Sequence, residues 1–292
     1  MTDGPTAGQP EPVKRTVAVL DSVMSYREVG EGDPVLFLHG NPMSSYLWRN
    51  IMPWVQDLGR CIAPDLIGMG DSGRLDADPY RYVTHRRYLD AFCAELAIDD
   101  RVVIVGHDWG GALGFDWASR HPDAVRGIAY GETLVHPSVG DEPPERADLI
   151  RFCRSDEGEK TVLHSDFILD VFLKASVLTP MPAEVEQEYR RPWVSLGESR
   201  RPTLTWVQEV PLLGQPSDVY EAIGNYASWL ASSPVPKLLI VTTEGQLTGV
   251  NLEFCRNWPN QTEVRVEAKH FFQEDAPDAV GGALRDWLLS LQ

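Results

Sequence analysis

The 292-residue chain is short of positive charge: 26 lysines and arginines stand against 43 aspartates and glutamates, a formal net charge of −17. Nucleic acid and anionic membrane both need basic patches, so neither is expected as a partner. The acidic excess does not argue for a cationic substrate either, because solvated helix faces account for most such charge. Cysteine is also scarce. Cys61, Cys93, Cys153 and Cys255 lie far apart, form no C-x-x-C pair and have no companion histidines at ligand spacing. They read as free, mostly buried thiols of a reducing compartment, which excludes a disulfide framework and a zinc site. No run is apolar enough to span a bilayer. Residues 1–12, rich in proline and glycine, read as a disordered leader and not as a signal peptide. A soluble cytoplasmic protein is expected, with no internal repeats and no signal for an oligomeric state.

What is present is the composition of an ordinary globular protein, long enough for one large domain with an insertion. Arg15–Leu20 and Val23–Glu28 alternate and read as an opening antiparallel hairpin. Pro34–His39 and Cys61–Pro64 read as buried strands, with helical spacing over Tyr46–Val55 between them. Tyr82–Leu96 reads as an amphipathic helix, followed by a strand from Val102, a helix over Ala112–Arg120 and a strand over Arg126–Tyr130. Strands alternating with helices predict a mostly parallel sheet covered on both faces, whose ligands sit at the carboxyl ends of the strands. From about Val135 to Gly214 strand patterns vanish and helical stretches run near Arg146–Arg154, Gly158–Leu173 and Glu184–Glu198. This predicts a helical lid over 135–214, inserted after the sixth strand into a core formed by 13–134 and 215–292. Its aromatics Phe152, Phe167, Phe172, Trp193 and Trp206 read as lid core. The sheet pattern then resumes with helix Asp218–Ser232, strand Lys237–Val241, helix Asn251–Trp258, strand Thr262–Val266 and a closing helix Pro277–Leu291.

The chain is organised around Val102-Val103-Ile104-Val105-Gly106-His107-Asp108-Trp109-Gly110-Gly111. A β-branched run enters small–x–Asp–x–small and turns at once into a helix. This is the shape of a nucleophile elbow with Asp108 in the serine's place. A helix N-terminus favours a negative charge there, and a carboxylate so held can attack carbon and become an ester. The plainer alternative is a strand–turn–helix with a capping aspartate. Of the seven histidines only His270 follows the last predicted strand, where the base of such a site belongs, while His107 is expected to point back towards the sheet. Nucleophile, acid, histidine is the chain order of the α/β-hydrolases. Two acids fit it: Glu132, ending the strand after the elbow helix, and Glu244, after the strand that follows the lid. Spacing barely separates them.

The stretches His39-Gly40-Asn41-Pro42, Asp65-Leu66-Ile67-Gly68-Met69-Gly70, Gly106-His107-Asp108-Trp109-Gly110, Arg200-Arg201-Pro202-Thr203-Leu204-Thr205-Trp206 and Phe272-Gln273-Glu274-Asp275 resemble the haloalkane dehalogenases. The resemblance runs from about Val17 to the C-terminus. It implies an α/β-hydrolase fold and hydrolysis of haloalkanes to alcohol, halide and a proton, with neither metal nor organic cofactor. It is similar to the subfamily whose acid follows the strand after the elbow helix, which implies Glu132. By motif, Asp108 would be the nucleophile, His270 the base, and Asn41 and Trp109 the donors to the departing halide. An amide NH₂ and an indole N–H supply hydrogen bonds without a competing negative charge. Ile150, Ile168, Phe172, Ser176, Leu247 and Phe271 are the pocket-lining residues the lid match implies.

The sequence departs from the family pattern at Lys174-Ala175, at Lys269 before the base, and at Glu244-Gly245-Gln246, which lacks a proline and about two residues. Each touches the pocket or its mouth. Three other readings compete. The coelenterazine luciferase of sea pansies shares nearly all these motifs. An epoxide hydrolase also uses an aspartate elbow, but needs an acid such as a lid tyrosine, for which Tyr189 is available. A binding protein on the same fold would lack turnover altogether.

Overall fold

The computed structural model describes residues 12–137 and 143–291; the leader read over 1–12 lies outside them except for Pro12. Eight strands form one sheet: β1 (Val13–Val19), β2 (Ser22–Val29), β3 (Pro34–Leu38), β4 (Arg60–Pro64), β5 (Val102–His107), β6 (Val125–Thr133), β7 (Lys237–Thr242) and β8 (Gln261–Val266). Their order across the sheet is β1-β2-β4-β3-β5-β6-β7-β8. The pairs β1–β2 and β2–β4 are antiparallel and the remainder parallel. This is the mostly parallel sheet expected from the alternation and the α/β-hydrolase architecture that the resemblance implies. β5 is central, and every one of its residues is buried, so its near-continuous β-branched run follows from having both faces covered.

Register brings the functional stretches to one edge. Leu38 pairs with Gly106 and His107 with Gly131, so the chain leaves β3, β5 and β6 side by side at their carboxyl ends. Thr242 pairs with Val266, and the segment after β8 returns to the same edge.

The covering helices are α1 (Tyr82–Glu95) and α2 (Asp108–Arg120), then α3 (Pro144–Cys153), α4 (Asp156–His164), α5 (Phe167–Ala175), α6 (Ala183–Arg190), α7 (Arg201–Gln208) and α8 (Ser217–Leu230), followed by α9 (Leu252–Cys255), α10 (Phe272–Asp275) and α11 (Pro277–Ser290). α2 packs on α1 and α8, and α11 on β7 and β8. The lid helices α3 to α7 follow the sixth strand and are partly self-sufficient, since Ala147, Ile150, Cys153, Ile168 and Leu204 share a hydrophobic cluster separate from the main core. Cations tie the lid to the sheet domain. Arg49 makes a bidentate pair with Glu274 at 2.6 and 2.8 Å, and Tyr189 of α6 donates to the same carboxylate. Arg81 pairs with Glu209 at 3.0 Å, and Arg191 with Asp71 at 2.6 Å.

Four helical expectations need correction. Tyr46–Val55 is not an α-helix but two tight turns, Ser45–Trp48 and Met52–Trp54, with Pro53 removing an N–H that a continuous helix needs. Gly158–Leu173 is two helices. They part at Ser165 and Asp166, where Arg200 binds the Ser165 carbonyl and the Asp166 carboxylate. Glu184–Glu198 stops as an α-helix at Arg190, ahead of Pro192. Asn251–Trp258 shortens to the single turn of α9.

Candidate active site

β5 ends in extended backbone at His107, and Asp108 then takes φ +52° as the first residue of α2. A left-handed conformation costs a residue with a Cβ about 1–3 kcal/mol and persists only where the surroundings impose it. Here the imposition is visible. A Cβ on Gly110 would run into the carbonyls of Leu38 and His39, and one on Gly40 would overlap the Asp108 carboxylate. The glycines therefore let β3, the elbow and α2 close on one another. Thr133 Oγ1 donates to the Asp108 carbonyl at 2.6 Å and pins the elbow to the end of β6. The Asp108 carboxylate accepts the Asn41 backbone N–H at 2.8 Å on Oδ1 and is also bonded by the Trp109 backbone N–H. Burial raises its pKa above the usual 3.8, more than His270 and the two N–H groups lower it.

His270 lies between the two acids. Its Nδ1 is 3.2 Å from Glu132 Oε2, and its Nε2 is 3.7 Å from Asp108 Oδ2. A carboxylate only accepts, so Nδ1 carries the proton and Nε2 turns a lone pair towards Asp108. The 3.7 Å separation is too long for a hydrogen bond and leaves Nε2 free for a water. Glu132, at φ +47° at the end of β6, is 1% exposed. It also accepts backbone N–H groups from Gln246 (2.6 Å), Leu247 (3.0 Å) and Gly249 (3.0 Å). Burial alone would raise its pKa, but His270 and these N–H groups outweigh it and hold Glu132 below its usual 4.5. Glu244 is elsewhere. Its side chain is 59% exposed and lies 3.7 Å from Lys269, so two of the family departures are partners in one ion pair. His107 does turn inward, with Nε2 2.8 Å from the His270 carbonyl. The next residue, Phe271, donates its N–H to the Ser176 carbonyl at the end of α5 at 2.9 Å.

Asn41, Asp108, Trp109, Phe172, Leu247 and His270 line one chamber of about 90 Å³. It adjoins a vestibule of about 530 Å³ that Ser176 helps to line. Three pocket expectations fail. Ile150 and Ile168 face the lid's own cluster, because α3 turns Arg146 and Leu149, three residues apart, to the chamber instead. Phe271 is fully buried, its ring against His107 and His270. Trp206 was read as lid core but lines the chamber, as do Val207, Val210 and Gln246, which sequence reasoning missed. A helix spanning Arg201–Gln208 would have given the signal for Trp206 and Val207.

Asn41 and Trp109 both line the chamber, and the side chain of each already donates a hydrogen bond. Asn41 Nδ2 donates to the Thr203 carbonyl and Trp109 Nε1 to the Trp206 carbonyl, both at 3.0 Å and both on α7. Tyr189 is remote from this chemistry, its hydroxyl committed to Arg49 and Glu274. Among the described residues no cluster of side chains fits a metal ion.

Residues 33–277 match the model of the alpha/beta hydrolase fold family. The chain is 48% identical over 284 residues to a haloalkane dehalogenase of Sphingobium indicum, covering 96% of each. It is 38% identical over 275 residues to the coelenterazine h 2-monooxygenase of Renilla reniformis, covering 92% of this chain and 88% of that one. The crystal structure of a haloalkane dehalogenase from Bradyrhizobium elkani superposes with a TM-score of 0.90 at 38% identity, covering 96% of this chain and 98% of that one.

Proposed function

The chain belongs to the haloalkane dehalogenases of the α/β-hydrolase fold family, and from that premise we propose that it cleaves carbon–halogen bonds through an ester on Asp108. Asp108 Oδ2 displaces the halide from a saturated carbon, and the ion leaves onto Asn41 Nδ2 and Trp109 Nε1. A halide is a weak base that needs donors and no proton. The alkyl ester that remains has an electrophilic carbonyl carbon; a serine would have left an inert ether. His270 Nε2 takes a proton from water as it attacks that carbon, and Glu132 steadies the imidazolium. Oδ1, already bonded by the backbone N–H of Asn41, carries the oxyanion, with the Trp109 backbone N–H beside the same carboxylate, so charge develops where donors already stand. Collapse returns the carboxylate and releases alcohol, halide and a proton.

The observation that carries this reading is the asymmetry of the Asp108 carboxylate. One oxygen accepts the Asn41 backbone N–H and the other faces an imidazole fixed by Glu132. The test is mass spectrometry of His270→Ala after exposure to 1-bromobutane. An alkyl adduct on Asp108 is expected, and an unmodified protein that still turns over removes both residues from these roles.

Residues 135–214 act in this reading as a lid over the core 13–134 and 215–292, with a small apolar halogenated compound, halide and water as the only partners. The four cysteines are buried and free, which suits the reducing cytoplasm. The similarity to the Renilla enzyme favours one alternative, oxidation of coelenterazine. The higher identity to the Sphingobium dehalogenase, 48% against 38%, ranks it second. Sustained light on adding coelenterazine and oxygen, without bromide release from 1-bromobutane, would reverse the order of the two readings.

A further inference from the structure

Trp109 carries a single N–H, so its use to a halide depends on how the indole is turned. Two further rings, stacked in a column on it, fix that angle. The indole of Trp206 stacks on Trp109 with centroids 4.7 Å apart and planes at 26°. His85, from α1, stacks on Trp206 at 4.2 Å and 24°. The Trp206 indole N–H is itself tied to Met69 Sδ at 3.2 Å, so the middle ring of the column cannot spin. Trp206 also holds Trp109 by its backbone. Its carbonyl lies near the C-terminal end of α7, where helix carbonyls lack intrahelical donors, and it accepts the Trp109 indole N–H at 3.0 Å.

His85 is the unusual member. It is 1% exposed, and neither ring nitrogen has a hydrogen-bond partner among the described residues. Burial holds its pKa down at about 3, so it stays neutral throughout the working range. An unpartnered buried polar ring weakens a core, and the hydroxyls and amides around the catalytic carboxylates do not reach it. What the ring does contribute is a flat face behind Trp206.

We propose that His85 and Trp206 are positioning residues that hold the Trp109 indole N–H on the leaving halide, a proposal that rests on the reading of Trp109 as a halide donor. In the free protein the Trp206 carbonyl gives that N–H a partner and keeps it aimed into the chamber. When halide forms, the N–H is shared with it, and the carbonyl competes for the same hydrogen, which lets the product go.

Bromide inhibition of 1-bromobutane turnover tests this in four proteins. Trp109→Phe checks the underlying reading: if it inhibits like wild type, the donor assignment fails. With that control behaving as a lost donor, His85→Leu fills the space without a flat ring. It is expected to weaken bromide inhibition and lower kcat/KM by about five- to tenfold, the scale of one lost aromatic stack. The ester-hydrolysis rate should hold. His85→Phe restores the face and should return bromide inhibition to within about twofold of wild type. A His85→Leu enzyme with wild-type bromide inhibition overturns the proposal, as does a His85→Phe enzyme no better than the leucine variant. Wild-type protein with isotope-labelled tryptophan gives a measurement independent of variant folding. The Trp109 indole N–H should exchange slowly with deuterated water in the absence of halide. Exchange as fast as that of a free indole overturns the proposal.

Discussion

Replacing Glu132 by glutamine separates the two halves of the reaction. The carboxylate accepts four hydrogen bonds: three at Oε2, from Gln246, Leu247 and His270, and one at Oε1, from Gly249. A glutamine keeps three by placing its oxygen at the Oε2 position, which turns its NH₂ against the Gly249 N–H. One buried donor loses its acceptor, so stability should fall by about 2 kcal/mol at pH 7 by denaturant titration. Glu132 is held below its usual pKa of 4.5. Its contribution is therefore present above the unfolded value and disappears as pH falls through the folded one, and the gap between variant and wild type should narrow in acid. The chemical loss is larger. The imidazolium formed during ester hydrolysis loses its counter-charge, a change on the order of 10³–10⁴ in rate where an amide replaces the acid of a triad. Alkylation moves no proton and should proceed. Quenched-flow bromide measurements should show a burst of about one equivalent followed by a steady rate roughly a thousandfold below wild type. Glu244→Gln should stay within about twofold, because an exposed pair contributes little. A steady rate for Glu132→Gln within tenfold of wild type, or a larger loss in Glu244→Gln, would refute the reasoning.

Asn41→Ala keeps its backbone N–H on Asp108 but loses the amide that meets the halide. Alkylation should slow by about a hundredfold, the scale of one transition-state donor, with ester hydrolysis unchanged in single-turnover kinetics. In His270→Ala the group that most lowers the Asp108 pKa is gone, so the bromide burst should fade on acidification with a midpoint well above 3.8; a midpoint at or below that value would contradict the burial argument. Tyr189→Phe removes a donor from Glu274 and should cost about 1–2 kcal/mol in denaturant titration. It should leave dehalogenation intact, whereas a loss of activity would return Tyr189 to the chemistry.

Where the sequence was legible, burial was strong and local. β5 reads as a strand because six consecutive residues are buried in a sheet covered on both faces, and Asp108 and His270 follow from chain order once the sheet is drawn. The choice between Glu132 and Glu244 was not legible. What brings Glu132 to His270 is the left-handed turn at Glu132 and three backbone N–H groups from the loop at 246–249, none of which has a side-chain signature. The break between α4 and α5 is equally hidden, since Arg200 imposes it from 34 residues away in sequence. Pocket walls were read least well. Ile150 and Leu149 are adjacent and equally apolar, and only the packing of α3 on α4 and α7 decides which of them lines the chamber.

The bond between the Ser176 carbonyl and the Phe271 N–H makes the inserted helices and the His270 backbone mechanically dependent. Any segment transplanted into the stretch around Lys174 and Ala175 to widen the substrate range will tug on the backbone one residue beyond His270. Efforts to retune selectivity there should therefore be screened for the speed of water attack as well as for which halides are accepted.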